Sequence, residues 1–214
     1  MIDIAIVDYG MGNLRSVSQA FKKVAPGKDI RITGQAKDLL KAERVVFPGV
    51  GAMGDAMGEL NSRGLVDALK QVARTRPFLG ICLGLQMLFE FSEEGNTPGR
   101  GFFSGRVRKF TDGMMDPDGG RLKIPHMGWN EVDQVKSHFL WQGIQDRSRF
   151  YFVHSYYAEP LKGELIAGTT SYPRPFACAV SDQNLFAVQF HPEKSQAAGL
   201  RLLQNFVTWD GVAK

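Results

Sequence analysis

The chain has 214 residues, of which 43% are hydrophobic and 22% charged, and a formal net charge of +4. That balance is ordinary for a globular protein with a sizeable core and excludes a disordered or collagen-like chain. No run of Lys or Arg forms a nucleic-acid-binding arm, and no stretch approaches the roughly 18 apolar residues that span a bilayer.

The two cysteines, Cys82 and Cys178, are too few for a disulfide framework and do not lie at CxxC spacing, which argues for a reducing cytoplasm and against a zinc knuckle. The start, Met1-Ile2-Asp3-Ile4-Ala5, carries an acid and no basic leader, unlike a secretory signal. No histidine is spaced from another as metal ligands usually are, so no metal or other cofactor is expected.

In chain order, residues 2–7 form an apolar run that predicts a buried strand. The turn Asp8-Tyr9-Gly10-Met11-Gly12-Asn13 follows, then a helical pattern through Leu14, Val17, Ala20, Phe21 and Val24. Residues 44–47 predict a second buried strand, leading into Pro48-Gly49-Val50-Gly51 and helical segments up to about Arg74. Residues 77–81 predict a third strand, followed by a helical pattern over 85–91. Three successive strand-to-helix units imply a parallel sheet with helices on both faces.

The middle of the chain changes character. Residues 93–101 and 111–120 are rich in Gly, Pro and Asp and read as loops. Strand-like segments then crowd together at 107–110, 129–132, 150–157, 164–169, 176–180 and 185–190. Such density predicts antiparallel strands added to the sheet. A last helix is expected over 197–206. With no repeat and no linker, residues 1–214 read as a single α/β domain: an open, mainly parallel twisted sheet flanked by helices, with added antiparallel strands in the C-terminal half.

Chemistry concentrates in Gly80-Ile81-Cys82-Leu83-Gly84. Two glycines flank one cysteine where a strand gives way to a helix, the pattern of a nucleophile elbow. The bland reading of a lone cysteine is a buried small hydrophobe, but such a residue needs no paired glycines. A helix beginning at the elbow would also favour thiolate. The second motif is Gln189-Phe190-His191-Pro192-Glu193. Residues two apart in extended chain point the same way, so Glu193 can orient the His191 imidazole, and with Cys82 the set is nucleophile, base and orienter. The third is Pro48-Gly49-Val50-Gly51, a glycine-rich turn able to present backbone N–H groups to an oxyanion together with the N–H of Leu83. Gly49, Gly51 and Gly54 also fit G-x-G-x-x-G, but no acidic residue ends the next strand, so dinucleotide binding is disfavoured. Among the other histidines, His138 reads as a surface residue, while His154 interrupts an aromatic strand and suits a structural or a site role equally.

The elbow Gly-Ile-Cys-Leu-Gly-Leu-Gln and the His-Pro-Glu segment resemble those of the triad glutamine amidotransferases. Residues 7–13, Pro48-Gly49-Val50-Gly51, Ile124-Pro125-His126-Met127-Gly128-Trp129-Asn130 and Phe152-Val153-His154-Ser155-Tyr156 narrow the resemblance to the glutaminase subunits of imidazole glycerol phosphate synthase, from about residue 4 to 206. It implies Cys82 as nucleophile, His191 as base and acid, and Glu193 as orienter. It implies Gly49, Val50 and Leu83 as the oxyanion site, with Gly51, Gln86, Ser155 and Tyr156 holding glutamine. It further implies that Asn13, Met127, Trp129 and Lys194 face a (β/α)₈ cyclase subunit in a heterodimer, with no nucleic acid or membrane involved. The ammonia would pass to that cyclase, which makes imidazole glycerol phosphate and an aminoimidazole carboxamide ribotide. The alternative is a triad glutaminase serving another synthase, of anthranilate or pyridoxal phosphate formation, against which the Pro125–Trp129 segment argues.

Overall fold

The computed structural model describes residues 2–115 and 118–212. The N-terminal half alternates as expected. Strand β1 (Ile2–Val7) leads to helix α1 (Leu14–Val24), then β2 (Ile30–Thr33), α2 (Ala36–Lys41), β3 (Ala42–Gly49), α3 (Met53–Ser62) and α4 (Val66–Thr75). Strand β4 (Phe78–Cys82) runs into the four-residue helix α5 (Leu83–Gln86), followed by β5 (Phe89–Ser92), β6 (Thr97–Pro98) and β7 (Phe103–Lys109). The second half carries β8 (His126–Glu131), β9 (Asp133–Gln134), β10 (Arg149–His154), β11 (Tyr156–Pro160), β12 (Ile166–Ser171), β13 (Pro175–Asp182) and β14 (Leu185–Val188), and closes with α6 (Gln196–Thr208).

Twelve strands form one sheet, ordered β2-β1-β3-β4-β14-β13-β11-β7-β5-β6, with β12 and β9 attached through β13. The segment from β2 to β14 is wholly parallel. Strands β13, β11 and β7 then pair antiparallel, as the crowding of strand signals predicts. Strand β1 shows why the sheet is covered on both faces. Its Ile2, Ala5 and Val7 enter one apolar cluster with Met57, Leu60 and Leu69 of α3 and α4, while Ile4 and Ile6 enter another with Phe21 of α1 and Phe206 of α6. Burying each such side chain contributes about 1.5–3 kcal/mol, so the two clusters dominate what holds the layers together.

Three expectations change, and a fourth falls partly outside the described residues. The helix over 85–91 stops at Gln86, because the carbonyls of Met87, Leu88, Phe89 and Glu90 accept from the N–H groups of residues 99–103 instead of continuing a helical ladder. Any dipole effect on Cys82 is therefore that of a single turn. The strand expected over 150–157 is two strands, broken at Ser155. Its first part, β10, leaves the main sheet and pairs with β8 as a separate ribbon. His138 is buried, not on the surface; its Nδ1 accepts from the Leu140 N–H and its ring packs on Phe186 and Trp209. The loop expected over 111–120 includes Asp116 and Pro117, which lie outside the described residues.

Candidate active site

Cys82 ends β4 with φ 56° and ψ −112°, outside the usual basins for a side-chain-bearing residue. The flanking glycines allow this turn. A Cβ on Gly84 would collide with the Phe47 carbonyl oxygen, and one on Gly80 would lie 2.9 Å from the Ala187 Cβ. Parallel pairing sets Gly49 opposite Cys82 and so brings the end of β3 beside the thiol. Gly49 is buried: a Cβ there would strike the Tyr9 hydroxyl, which itself donates to the Pro48 carbonyl at 3.0 Å.

His191 arrives from the far end of the chain, just beyond β14, which lies next to β4 in the sheet. Its backbone N–H donates to the Tyr151 carbonyl, and its carbonyl accepts from the Ser195 hydroxyl at 2.6 Å. The ring Nδ1 lies 2.8 Å from Glu193 Oε1, and both side chains are almost fully buried. This pairing places the proton on Nδ1 as donor to the carboxylate and leaves Nε2, which has no hydrogen-bond partner, for the neighbouring Cys82 sulfur. Burial alone would lower the imidazole pKa; the Cys82 and Glu193 side chains outweigh it and raise it to about 10. The arrangement therefore favours a protonated imidazole beside the Cys82 sulfur.

A cavity of about 330 Å³ opens over this pair. Val50, Gly51, Leu83, Gln86, Ser155 and Tyr156 line it with Cys82 and His191; of the other predicted triad and oxyanion residues, Gly49 pairs opposite Cys82 and Glu193 bonds His191, and neither lines the cavity. Val153, His154 and Pro125 also line it, as does Glu94, its one carboxylate. Sequence reading passed over Glu94 because it sits in a segment legible only as loop. Glu94 Oε2 also accepts the first N–H of α3, from Met53 at 2.9 Å, tying the cavity rim to the glycine turn. Gln86 donates from Nε2 to the Tyr156 carbonyl and to Gln189 Oε1, each at 3.0 Å.

Met127 and Trp129 stand exposed on the outer side of the β8–β10 ribbon, opposite Val153 and Tyr151. Lys194 reaches over the Tyr151 ring, and Asn13 immediately precedes α1. A larger depression of about 790 Å³ beside Trp129, Arg149 and Arg201 is lined by no cysteine, histidine or carboxylate among the described residues. No helix among the described residues is long and apolar enough to cross a membrane.

A parallel sheet with a strained cysteine turn and a buried Cys-His-Glu set defines a class of amide-hydrolysing protein. The model of the class-I glutamine amidotransferase family matches residues 5–209, and the chain belongs to that family. It is 57% identical over 210 residues to the imidazole glycerol phosphate synthase subunit HisH of Thiobacillus denitrificans, covering 98% of this chain and 92% of that one. Identity to the HisH subunit of Dechloromonas aromatica is 59% over 207 residues, 96% of each chain. Within the class, it is thus a member of the HisH group, the glutaminase subunits of imidazole glycerol phosphate synthase in histidine biosynthesis. A solved glutamine amidotransferase superposes with a TM-score of 0.72 at 15% identity, over 96% of this chain and 99% of the other. Another, from Thermotoga maritima, gives 0.61 at 16% identity, over 90% and 76%. At such low identity these two speak to the fold alone.

Proposed function

We propose that Cys82, His191 and Glu193 hydrolyse glutamine as nucleophile, general acid-base and orienting carboxylate. The observation that carries the reading is the 2.8 Å His191–Glu193 pair, which leaves Nε2 free beside the thiol. The sulfur attacks the side-chain amide carbon, forming a C–S bond as the carbonyl electron pair moves onto oxygen. Backbone N–H groups of Leu83 and of the Gly49-Val50 turn meet that charge; one such donor is worth about 3 kcal/mol. His191 hands its proton to the nitrogen, the C–N bond breaks and ammonia leaves. The imidazole then takes a proton from water, whose oxygen attacks the thioester carbonyl; the C–S bond breaks, its electron pair returns to sulfur and glutamate leaves.

Glutamine brings an α-ammonium and a carboxylate to the cavity. Glu94 is the lining residue suited to the ammonium, and the Gly51 and Ser155–Tyr156 backbone is suited to the polar remainder. Both Gln86 Nε2 protons are committed, so Gln86 offers substrate only the acceptor Oε1.

Ammonia is mostly protonated in neutral water, so a sheltered route to its acceptor is needed. The exposed Met127 and Trp129, with Tyr151 and Lys194, form the face we assign to a (β/α)₈ cyclase subunit, with Asn13 at its margin. The Gly49–Val50 peptide can turn over, so docking would set the donor and raise turnover. One amidotransferase domain working in the cytoplasm completes the proposal, consistent with two buried free cysteines. The test is Cys82→Ser in the complex with the cyclase. Glutamine-dependent turnover should vanish while turnover with ammonium salt persists; surviving glutamine hydrolysis would refute the nucleophile assignment.

A further inference from the structure

Between the thiol and the cavity wall lies a chain of side-chain amides that the triad does not use. Gln189 is fully buried and its Nε2 lies 3.8 Å from Cys82 Sγ. Which end of an amide faces a sulfur is normally a matter of assignment, but here a backbone group decides it. The Tyr156 carbonyl can only accept, so the end of Gln86 facing it is Nε2. That same nitrogen is 3.0 Å from Gln189, so the facing atom of Gln189 is Oε1. The amide nitrogen of Gln189 is then turned onto the sulfur. The Gln189 backbone N–H donates to the Cys178 carbonyl at 2.8 Å, which holds the residue in place from the other side.

We propose that Gln189 is a further catalytic residue, donating a hydrogen bond to the Cys82 thiolate, and that Gln86 is the positioning residue that locks this donor in orientation. A hydrogen bond to an ionised group is about twice as strong as one between neutral groups, so the contact gains strength as the thiol loses its proton. The donor is an amide nitrogen that carries no transferable proton, so it stabilises the nucleophile before attack and leaves proton delivery to the departing nitrogen to His191. This inference rests on Cys82 being the nucleophile.

The test is the rate of Cys82 alkylation by iodoacetamide as a function of pH, in the full chain and in Gln189→Met and Gln189→Glu. The Met variant keeps length and removes the donor; the Glu variant keeps shape and turns an acceptor onto the sulfur. The profile should move to higher pH by about one unit in the Met variant and further in the Glu variant. In complex with the cyclase, kcat for glutamine should fall about tenfold in the Met variant with KM changed less than about threefold, the split expected when stabilisation of the reacting sulfur is lost. Gln86→Met should produce a smaller shift in the same direction. In the wild-type chain, the Gln189 side-chain amide proton resonances should titrate together with Cys82 alkylation, a readout that needs no variant. Superimposable alkylation profiles in folded variants, or amide resonances that do not follow the thiol, overturn the proposal. Either result leaves the triad standing, whereas glutamine hydrolysis by Cys82→Ser would remove the triad first.

Discussion

His126 Nδ1 lies 2.9 Å from His154 Nε2, joining two imidazoles behind the cavity wall. The chain of bonds fixes every proton. His154 Nδ1 faces the Tyr156 carbonyl at 2.7 Å and must donate, so its Nε2 accepts from His126 Nδ1. His126 Nε2 is left to accept from Asn130 Nδ2 at 3.3 Å. The His126 ring is stacked between Phe152 and Tyr172. The network works only with both rings neutral, and it ties the exposed ribbon to the carbonyl that also holds Gln86.

Acid should therefore unfold this protein early. Burial pushes the pKa of His126 and of His138 down to about 4 and that of His154 to about 3. Unfolded, each titrates near 6.5, so the unfolded chain binds more protons across that window. Their contribution is complete above pH 6.5 and is lost as pH falls, towards 4 for His126 and His138 and towards 3 for His154, each on the order of a few kcal/mol. Thermal unfolding should show a steep drop in Tm between pH 6.5 and 4.5. A flat profile across that range would contradict the buried neutral pair.

Gly84→Ala should destabilise the fold by at least about 2 kcal/mol, because the new methyl meets backbone, not a flexible side-chain end. Denaturant unfolding reads this directly. A change below about 0.5 kcal/mol would mean that the elbow can shift away from Phe47.

His191→Ala should lower kcat by about 10⁴-fold, since it removes both proton transfers. Glu193→Gln keeps an acceptor for the Nδ1 proton and loses only charge, so its loss should be smaller, about 10- to 100-fold. Steady-state kinetics with glutamine decide the order; equal or reversed losses would count against an orienting role for Glu193.

Without the cyclase the chain should release little ammonia from glutamine. Trp129→Ala should weaken the complex at least tenfold in Kd, as expected for a buried aromatic anchor. Calorimetric titration measures this, and an unchanged Kd would move the interface elsewhere.

Much of this was legible in the residues because the signals were local. The elbow needed only two glycines and a cysteine. The pairing of His191 with Glu193 was expected from extended chain, but Pro192–Lys194 form a 3₁₀ turn, and it is that turn which brings the two side chains together. What escaped depended on partners distant in sequence. Residues 85–91 carry a helical spacing of Leu85, Leu88 and Phe89, yet N–H groups from residues 99–103 claim their carbonyls first. Strand β2 shows a mixed inward and outward pattern at a sheet edge and gave no run to read. His138 looked exposed because Phe186 and Trp209, which cover it, lie dozens of positions away. Gln189 stood in plain view two residues before His191, but its role needed Gln86 and Tyr156 beside it.

The most direct measurement is covalent. The chain in complex with the cyclase is treated with a diazoketone analogue of glutamine and examined by intact and peptide mass spectrometry. The account predicts one adduct per chain, located on Cys82, prevented by excess glutamine and absent from Cys82→Ser. Inactivation accompanied by labelling at any other residue, with Cys82 unmodified, would contradict it.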